Sequence, residues 1–216
     1  MPYGIVINGK EIELHFFKLL KKIIMKKIIL MTLFLFFGCK ITSDSNYSEK
    51  LKKCIMSTYR VKKNEPLKIN YYEFMSKIEK MYIDNNILMK NNKNSYKKLY
   101  LKIDNLKIDS IYFKQKKIEN KYSFVSTSYI NIEKHFITCP LEATANSSNE
   151  IKNKIKKQIY LFNLLEANGF DNKELLLKYL NTYSEKDTKN IVYRSNLIYL
   201  TMLAINEIHR KKIQSP

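Results

Sequence analysis

Glycine is scarce in this chain: it occurs four times in 216 residues, and Gly169 is the only glycine after residue 38. Phosphate-binding loops, dinucleotide-binding turns and the Gly-x-Ser-x-Gly nucleophile turn each need at least two glycines close together. None of these motifs exists after residue 38, which excludes the common classes of nucleotide-dependent enzyme. We therefore expect no cofactor of this kind.

The chain has no tryptophan, and its only arginines are Arg60, Arg194 and Arg210. Its 39 basic and 20 acidic residues give a formal net charge of +19, which favours nucleic acid, anionic lipid or acidic polysaccharide. Lysine, asparagine and isoleucine share AT-rich codons and are abundant together, so codon usage is the alternative explanation. The lysines are dispersed, and arginine is the better side chain for bidentate phosphate recognition. We expect no nucleic acid partner and only weak binding to anionic lipid or polysaccharide.

A short hydrophobic segment lies near the N-terminus. The basic run 25–27 precedes a ten-residue hydrophobic region at 28–37, which Gly38 and Cys39 follow. A basic region, a hydrophobic region and a small residue before the cleavage point are the three parts of a secretory signal. A spanning helix needs about 20 apolar residues, and extending this one backwards would bring lysines into the hydrocarbon. The pattern therefore predicts export rather than a transmembrane anchor.

The sequence Phe36-Phe37-Gly38-Cys39 resembles the bacterial lipobox, with Phe36 standing where leucine is usual. The resemblance implies that residues 25–38 are removed as a signal peptide. It also implies that Cys39 becomes an acylated N-terminus, bearing a diacylglyceryl thioether and fatty acids such as palmitate, and is held at a membrane of the cell envelope. The alternative is an ordinary signal peptide in which Cys39 has no special role.

The interpretation as a lipoprotein divides the chain into segments. We expect residues 1–24 to be an upstream extension or a long n-region, 25–38 to be a signal peptide and 39–46 to be a polar tether. Residues 47–216 should form one mainly helical domain with two sub-units, 47–101 and 147–212. The domain is similar to uncharacterised lipoproteins of Bacteroidetes-type bacteria, and that resemblance implies no particular activity.

Two further cysteines, Cys54 and Cys139, follow Cys39. An even number of cysteines in an oxidising compartment favours a disulfide, which would join the first helix of the domain to its middle segment. The alternative is a pair of separate buried thiols, because free cysteine is comfortable on an apolar helical face.

Apolar residues at helical spacing predict a mainly α domain of about five to six helices. The expected helices run over 47–60, from 71, over 95–101, over 147–167, from 171 and over 188–210. Polar residues that can cap them stand at Asn46, Asn70, Ser95, Ser147, Asp171 and Asp187. The section 197–205 is apolar on nearly every side, so we expect it at the centre of the core.

The middle of the chain, residues 102–136, shows a different pattern. Apolar residues alternate there as they do in strands, at Ile111 and Phe113, at Tyr122 and Phe124, and at Ile130 and Ile132. This pattern predicts a small β-hairpin or irregular structure.

No residue pattern identifies a catalytic or metal site. His135 and Cys139 are four residues apart and could begin a metal site with Cys54, but no fourth ligand is visible, so a structural role is favoured. His209 falls in the last turn of a helix, where a partly positive imidazole suits the helix dipole. We expect a non-enzymatic component that binds an envelope protein or supports an assembly. The alternative is an exported hydrolase or carbohydrate-processing enzyme with an unfamiliar site.

Overall fold

The computed structural model describes residues 46–58, 70–106 and 108–214. Within these residues the protein is mainly α, as the sequence predicts, and it contains no strand. Residues 46–58 form helix α1. The later helices are α2 (Tyr71–Asp84), α3 (Lys93–Leu101), α4 (Ile108–Lys121), α5 (Tyr129–Glu133), α6 (Cys139–Ala143), α7 (Asn149–Asn168), α8 (Lys173–Leu180), α9 (Glu185–Lys189) and α10 (Ile191–Gln214). The described helices are thus somewhat more numerous than the five to six expected.

Side-chain caps fix where several helices begin. In each case an oxygen of the capping residue accepts a hydrogen bond from the backbone N–H three residues later, which satisfies a donor that the helix leaves unpaired. The capping residues are Asn70, Asn92, Ser148, Asn172 and Ser184. The cap at Asn70 is confirmed, whereas those expected at Ser95, Ser147 and Asp171 lie one to three residues away, because neighbouring polar residues offer the same oxygen.

The last expected helix is divided in two. Ser184 and Asp187 form a capping box at the start of α9, so Asp187 lies inside this short helix and does not precede a longer one. Asn190 then has an extended backbone, and its side-chain oxygen accepts from Val192 N at 2.9 Å. The chain therefore restarts as α10 at Ile191.

Helix α10 lies in the centre of the protein. Every residue from Arg194 to Ile205 is buried, which confirms the expectation for its apolar section. Helices α2, α4 and α9 pack against α10, while α3 and α7 pack against α8. The sub-units expected at 47–101 and 147–212 therefore share one core, since helices of the first pack against helices of the second.

The expected hairpin is not found in the described part of 102–136, which is largely helical. Ile108, Ile111, Gln115 and Glu119 are buried at helical spacing on α4. Two of these inward positions are polar, which hid the helical period, and the outward Phe113 is 64% exposed. A π-helical turn, Lys134–Thr138, then joins α5 to α6.

Polar side chains also lie in this core, where they are hydrogen-bonded to two buried carboxylates. Glu119 accepts hydrogen bonds from Gln115, Lys116 and Ser126 at 2.7 to 3.1 Å. Glu79 accepts from Arg194 Nε and from the Tyr96 hydroxyl, both at 2.8 Å. Buried polar groups are tolerated when every one is hydrogen-bonded in this way.

We predict that Arg194→Met lowers the free energy of unfolding by about 3–5 kcal/mol, because it leaves the Glu79 carboxylate buried without its cation. The double variant Glu79→Met/Arg194→Met should recover part of that loss. Lys80→Gln, which breaks the exposed pair with Asp84, should cost less than about 1 kcal/mol. Urea unfolding measures all three, and equal losses at Arg194 and Lys80 would contradict a buried pair.

Candidate functional site

The residue expected to carry lipid, Cys39, lies outside the described residues, as do the expected signal peptide 25–38 and nearly all of the expected tether. The first described residue is Asn46, in α1. Acylation of Cys39 therefore stays a prediction.

The other two cysteines meet in the structure. Cys54 on α1 and Cys139 on α6 are joined as a disulfide with Sγ atoms 2.04 Å apart, and their Cα atoms are separated by 5.5 Å. Glu142 Oε2 lies 3.1 Å from Cys54 Sγ, a contact that is not a hydrogen bond in the disulfide because the sulfur carries no proton. Each sulfur is therefore bonded to the other, and neither is a free thiol. Across the described ranges, no group of three His, Cys, Asp or Glu side chains is placed to hold a metal ion.

His135 lies in the core, on the π-helical turn. It is 1% exposed, and the Tyr71 hydroxyl lies 3.2 Å and 3.3 Å from its two ring nitrogens. The rings of Phe136 and Tyr199 pack at 4.9 Å and 5.0 Å between centroids. Burial lowers the pKa of His135 to about 3, so the imidazole is neutral at physiological pH. Its surroundings support the structural role expected from the sequence.

His209, the other histidine in the described residues, pairs with α4. Its Nδ1 lies 3.2 Å from Asp109 Oδ1, and its ring stacks on Tyr112 with centroids 3.7 Å apart. Lys212 binds the other oxygen of Asp109. Lys212 first, and then His209, hold the pKa of the Asp109 carboxyl below its usual value. The pair thus ties the C-terminal end of α10 to the first turn of α4.

A cleft of about 640 Å³ adjoins this pair. Its lining includes Asp104, Asp109, Lys211 and Lys212, above an apolar base. Its charges are matched within the protein: Lys212 binds Asp109, Lys211 binds Asp171 at 2.6 Å, and Asp104 lies 3.6 Å from Lys173. The cleft therefore has little charge left to attract an ionic ligand.

A second depression, which we call the α2–α4 groove, has a different charge balance. It has a volume of about 280 Å³ and is lined by Lys77, Lys80, Met81, Asp84, Asn85, Ile118, Lys121 and Tyr122. Three ammonium groups thus face one carboxylate above an apolar floor. Lys80 binds both Asp84 oxygens at 2.8 Å, whereas no described carboxylate forms an ion pair with Lys77 or Lys121.

The sequence predicts neither this groove nor its lysines as a unit. The periodicity of α2 does place Lys77, Lys80 and Asp84 on the outer side of the helix, opposite its buried stripe. The sequence does not show which helix packs beside α2. Lys121 lies on that neighbouring helix, α4, which was not predicted as a helix. Only the packing of α2 against α4 creates the groove.

No protein-family model, curated protein or solved structure matches this chain.

None of the helices in the described ranges combines the length and the apolar character needed to cross a membrane.

We predict that His135 makes the protein lose stability as the pH falls. Its pKa is lower in the folded state than the value of about 6.5 expected when unfolded, so the unfolded chain binds the proton first. Its contribution is complete above pH 6.5 and falls by up to about 1.4 kcal/mol per pH unit towards pH 3.

Urea unfolding of the wild type and His135→Gln between pH 7 and 4.5 tests this prediction. The carboxylates titrate in both proteins, so the informative quantity is the difference between the two profiles. We expect the wild type to lose more stability than the variant over this range. Parallel profiles would show that His135 is not buried in its neutral form.

Proposed function

We propose that this chain is a lipoprotein of the bacterial cell envelope, anchored through Cys39, whose helical domain is a non-enzymatic component that binds a partner or supports an assembly. The lipobox-like sequence before Cys39 is the starting point. The single observation that carries the proposal is the pairing of the other two cysteines.

The three cysteines fall into two roles under this proposal. Cys54 and Cys139 belong to different helices, and their Cα separation of 5.5 Å lies within the usual range for disulfides. Disulfides persist mainly in oxidising compartments outside the cytosol. The pairing supports export, and it accounts for the two cysteines other than Cys39, which stands at the position where the resemblance expects acylation.

The short tether limits where the domain can lie. Seven residue steps separate Cys39 from Asn46, where the described helix begins. A fully extended chain spans at most about 3.3–3.6 Å per residue, so this tether reaches roughly 25 Å. An acylated Cys39 therefore keeps α1 close to the membrane surface.

The positions of the histidines favour binding over catalysis. A general base must reach its substrate, but His135 is enclosed by aromatic rings and His209 is held between Asp109 and Tyr112. The alternative, an exported hydrolase or carbohydrate-processing enzyme, needs carboxylates brought together in a cleft. Asp104 and Asp109 do line one cleft, but each lies beside a lysine, which favours stable ion pairs over proton transfer.

We predict that radioactive palmitate labels the wild-type protein expressed in a bacterium and does not label Cys39→Ala. The label should persist in Cys54→Ala/Cys139→Ala, which removes the other cysteines and serves as the matched control. Pull-down from the labelled membranes then searches for the envelope partner. An unlabelled wild type would defeat the proposed anchoring.

We also predict that the exported protein shows no thiol that reacts with maleimide before reduction, even when it is unfolded in urea. Two thiols, those of Cys54 and Cys139, should react after reduction. The closed loop is long, so removing the pair should cost roughly 4 kcal/mol in the chain-entropy model. Mass spectrometry counts the added groups, and two additions without reductant would refute the oxidised pair.

A further inference from the structure

We propose that the α2–α4 groove binds the phosphate headgroup of an anionic phospholipid. This inference extends the proposed function, because it names a ligand and the surface that recognises it. The choice of a lipid over other anions rests on the proposed anchoring, since a tethered domain meets a bilayer surface at high local concentration.

The groove is built from two packed helices. Lys77 and Lys80 project from successive turns of the outer side of α2, and Lys121 ends α4. Between them lie the apolar parts of Met81, Ile118 and Tyr122. The Tyr122 hydroxyl donates to Glu73 at 3.0 Å, which fixes the ring at one side of the groove.

The charge of the groove selects an anion. Asp84 is the only carboxylate in its lining, and Lys80 already binds it through both oxygens. Lys77 and Lys121 are exposed and have no ion pair with any carboxylate in the described ranges. Two ammonium groups thus flank the groove without an ion-pair partner, and the Glu73 carboxylate at its edge is bound by the Tyr122 hydroxyl. The larger cleft beside His209 shows the opposite arrangement, with its lysines held by Asp109 and Asp171.

The shape of the groove favours a headgroup over a larger ligand. Its volume of about 280 Å³ lies just below the usual range for small-molecule pockets, which begins at about 300 Å³. A phosphate between Lys77 and Lys121 would leave the glycerol part over the apolar floor. Lysine is well suited to such a contact, since it binds phosphate as a point charge and needs no bidentate geometry.

The test uses the full chain with Cys39→Ala, so that no acyl anchor holds it to vesicles. Sedimentation is measured with vesicles of phosphatidylcholine alone and of phosphatidylcholine with phosphatidylglycerol. The first composition gives the background from the N-terminal apolar segment, which all variants share. The difference between the two compositions gives the affinity for the anionic lipid.

The groove variant is Lys77→Gln/Lys121→Gln. Its matched control is Lys156→Gln/Lys157→Gln, which removes the same charge from two exposed lysines of α7. We expect the groove variant to bind the anionic vesicles roughly 30-fold more weakly, and the control to change by less than about threefold. Equal urea midpoints establish that both variants remain folded.

Three outcomes would overturn the inference. Equal losses in both variants would show binding by overall charge alone, and no preference of the parent for phosphatidylglycerol would show that the groove has no such ligand. Loss of binding to immobilised heparin, but not to vesicles, in the groove variant would assign the groove to an acidic polysaccharide. Palmitate labelling separates the two proposals. Labelling of the wild type without groove-dependent binding defeats this inference alone. Groove-dependent binding without labelling of the wild type defeats the anchoring alone.

Discussion

The burial of the central section of helix α10, from Arg194 to Ile205, is the constraint on which the rest of the fold depends. An apolar helix enclosed on every side has no preferred orientation from hydrophobicity alone, because burial is not directional. Hydrogen bonds to its polar groups fix the orientation of the helix. Arg194 donates to Glu79 on α2. Tyr100 on α3 donates to the backbone oxygen of Leu197. Asn206, just after the buried section of α10, is hydrogen-bonded to Gln115 and Ser126. Each of these hydrogen bonds selects a neighbouring helix and its register.

This arrangement separates residues that maintain the core from residues that are exposed at the surface. The buried carboxylates Glu79 and Glu119 and the neutral His135 are fully engaged with the protein, so their unusual surroundings have a structural explanation. At the surface, most ionic groups around the cleft beside His209 are also paired. The unmatched lysines of the α2–α4 groove are therefore notable, because charge that the fold does not use is available for binding. A domain tethered near a membrane would meet anionic headgroups there.

The sequence predicted a helix where apolar residues recur clearly at helical spacing, and it missed a helix where polar residues interrupt that spacing. Helix α2, whose inward positions are apolar or aromatic apart from Glu79, was predicted with its cap at Asn70. Helix α4 was not, because Gln115 and Glu119 occupy two of its inward positions and Phe113 faces outward. Those polar residues are buried only because Tyr82, Ser126 and Asn206 arrive from other parts of the chain to bond with them. No local pattern contains that information.

The sequence by itself determined the helical class and the central position of α10, and it contains the short hydrophobic segment and lipobox-like residues that motivate the anchoring proposal. These features depend on residue types within short windows, where periodicity and local caps act. Only the tertiary structure decided that Cys54 and Cys139 lie within bonding distance, that His135 is enclosed, and that Lys77 and Lys121 flank one groove. Each of these depends on residues far apart in the chain, whose proximity is set by which helices pack together around α10.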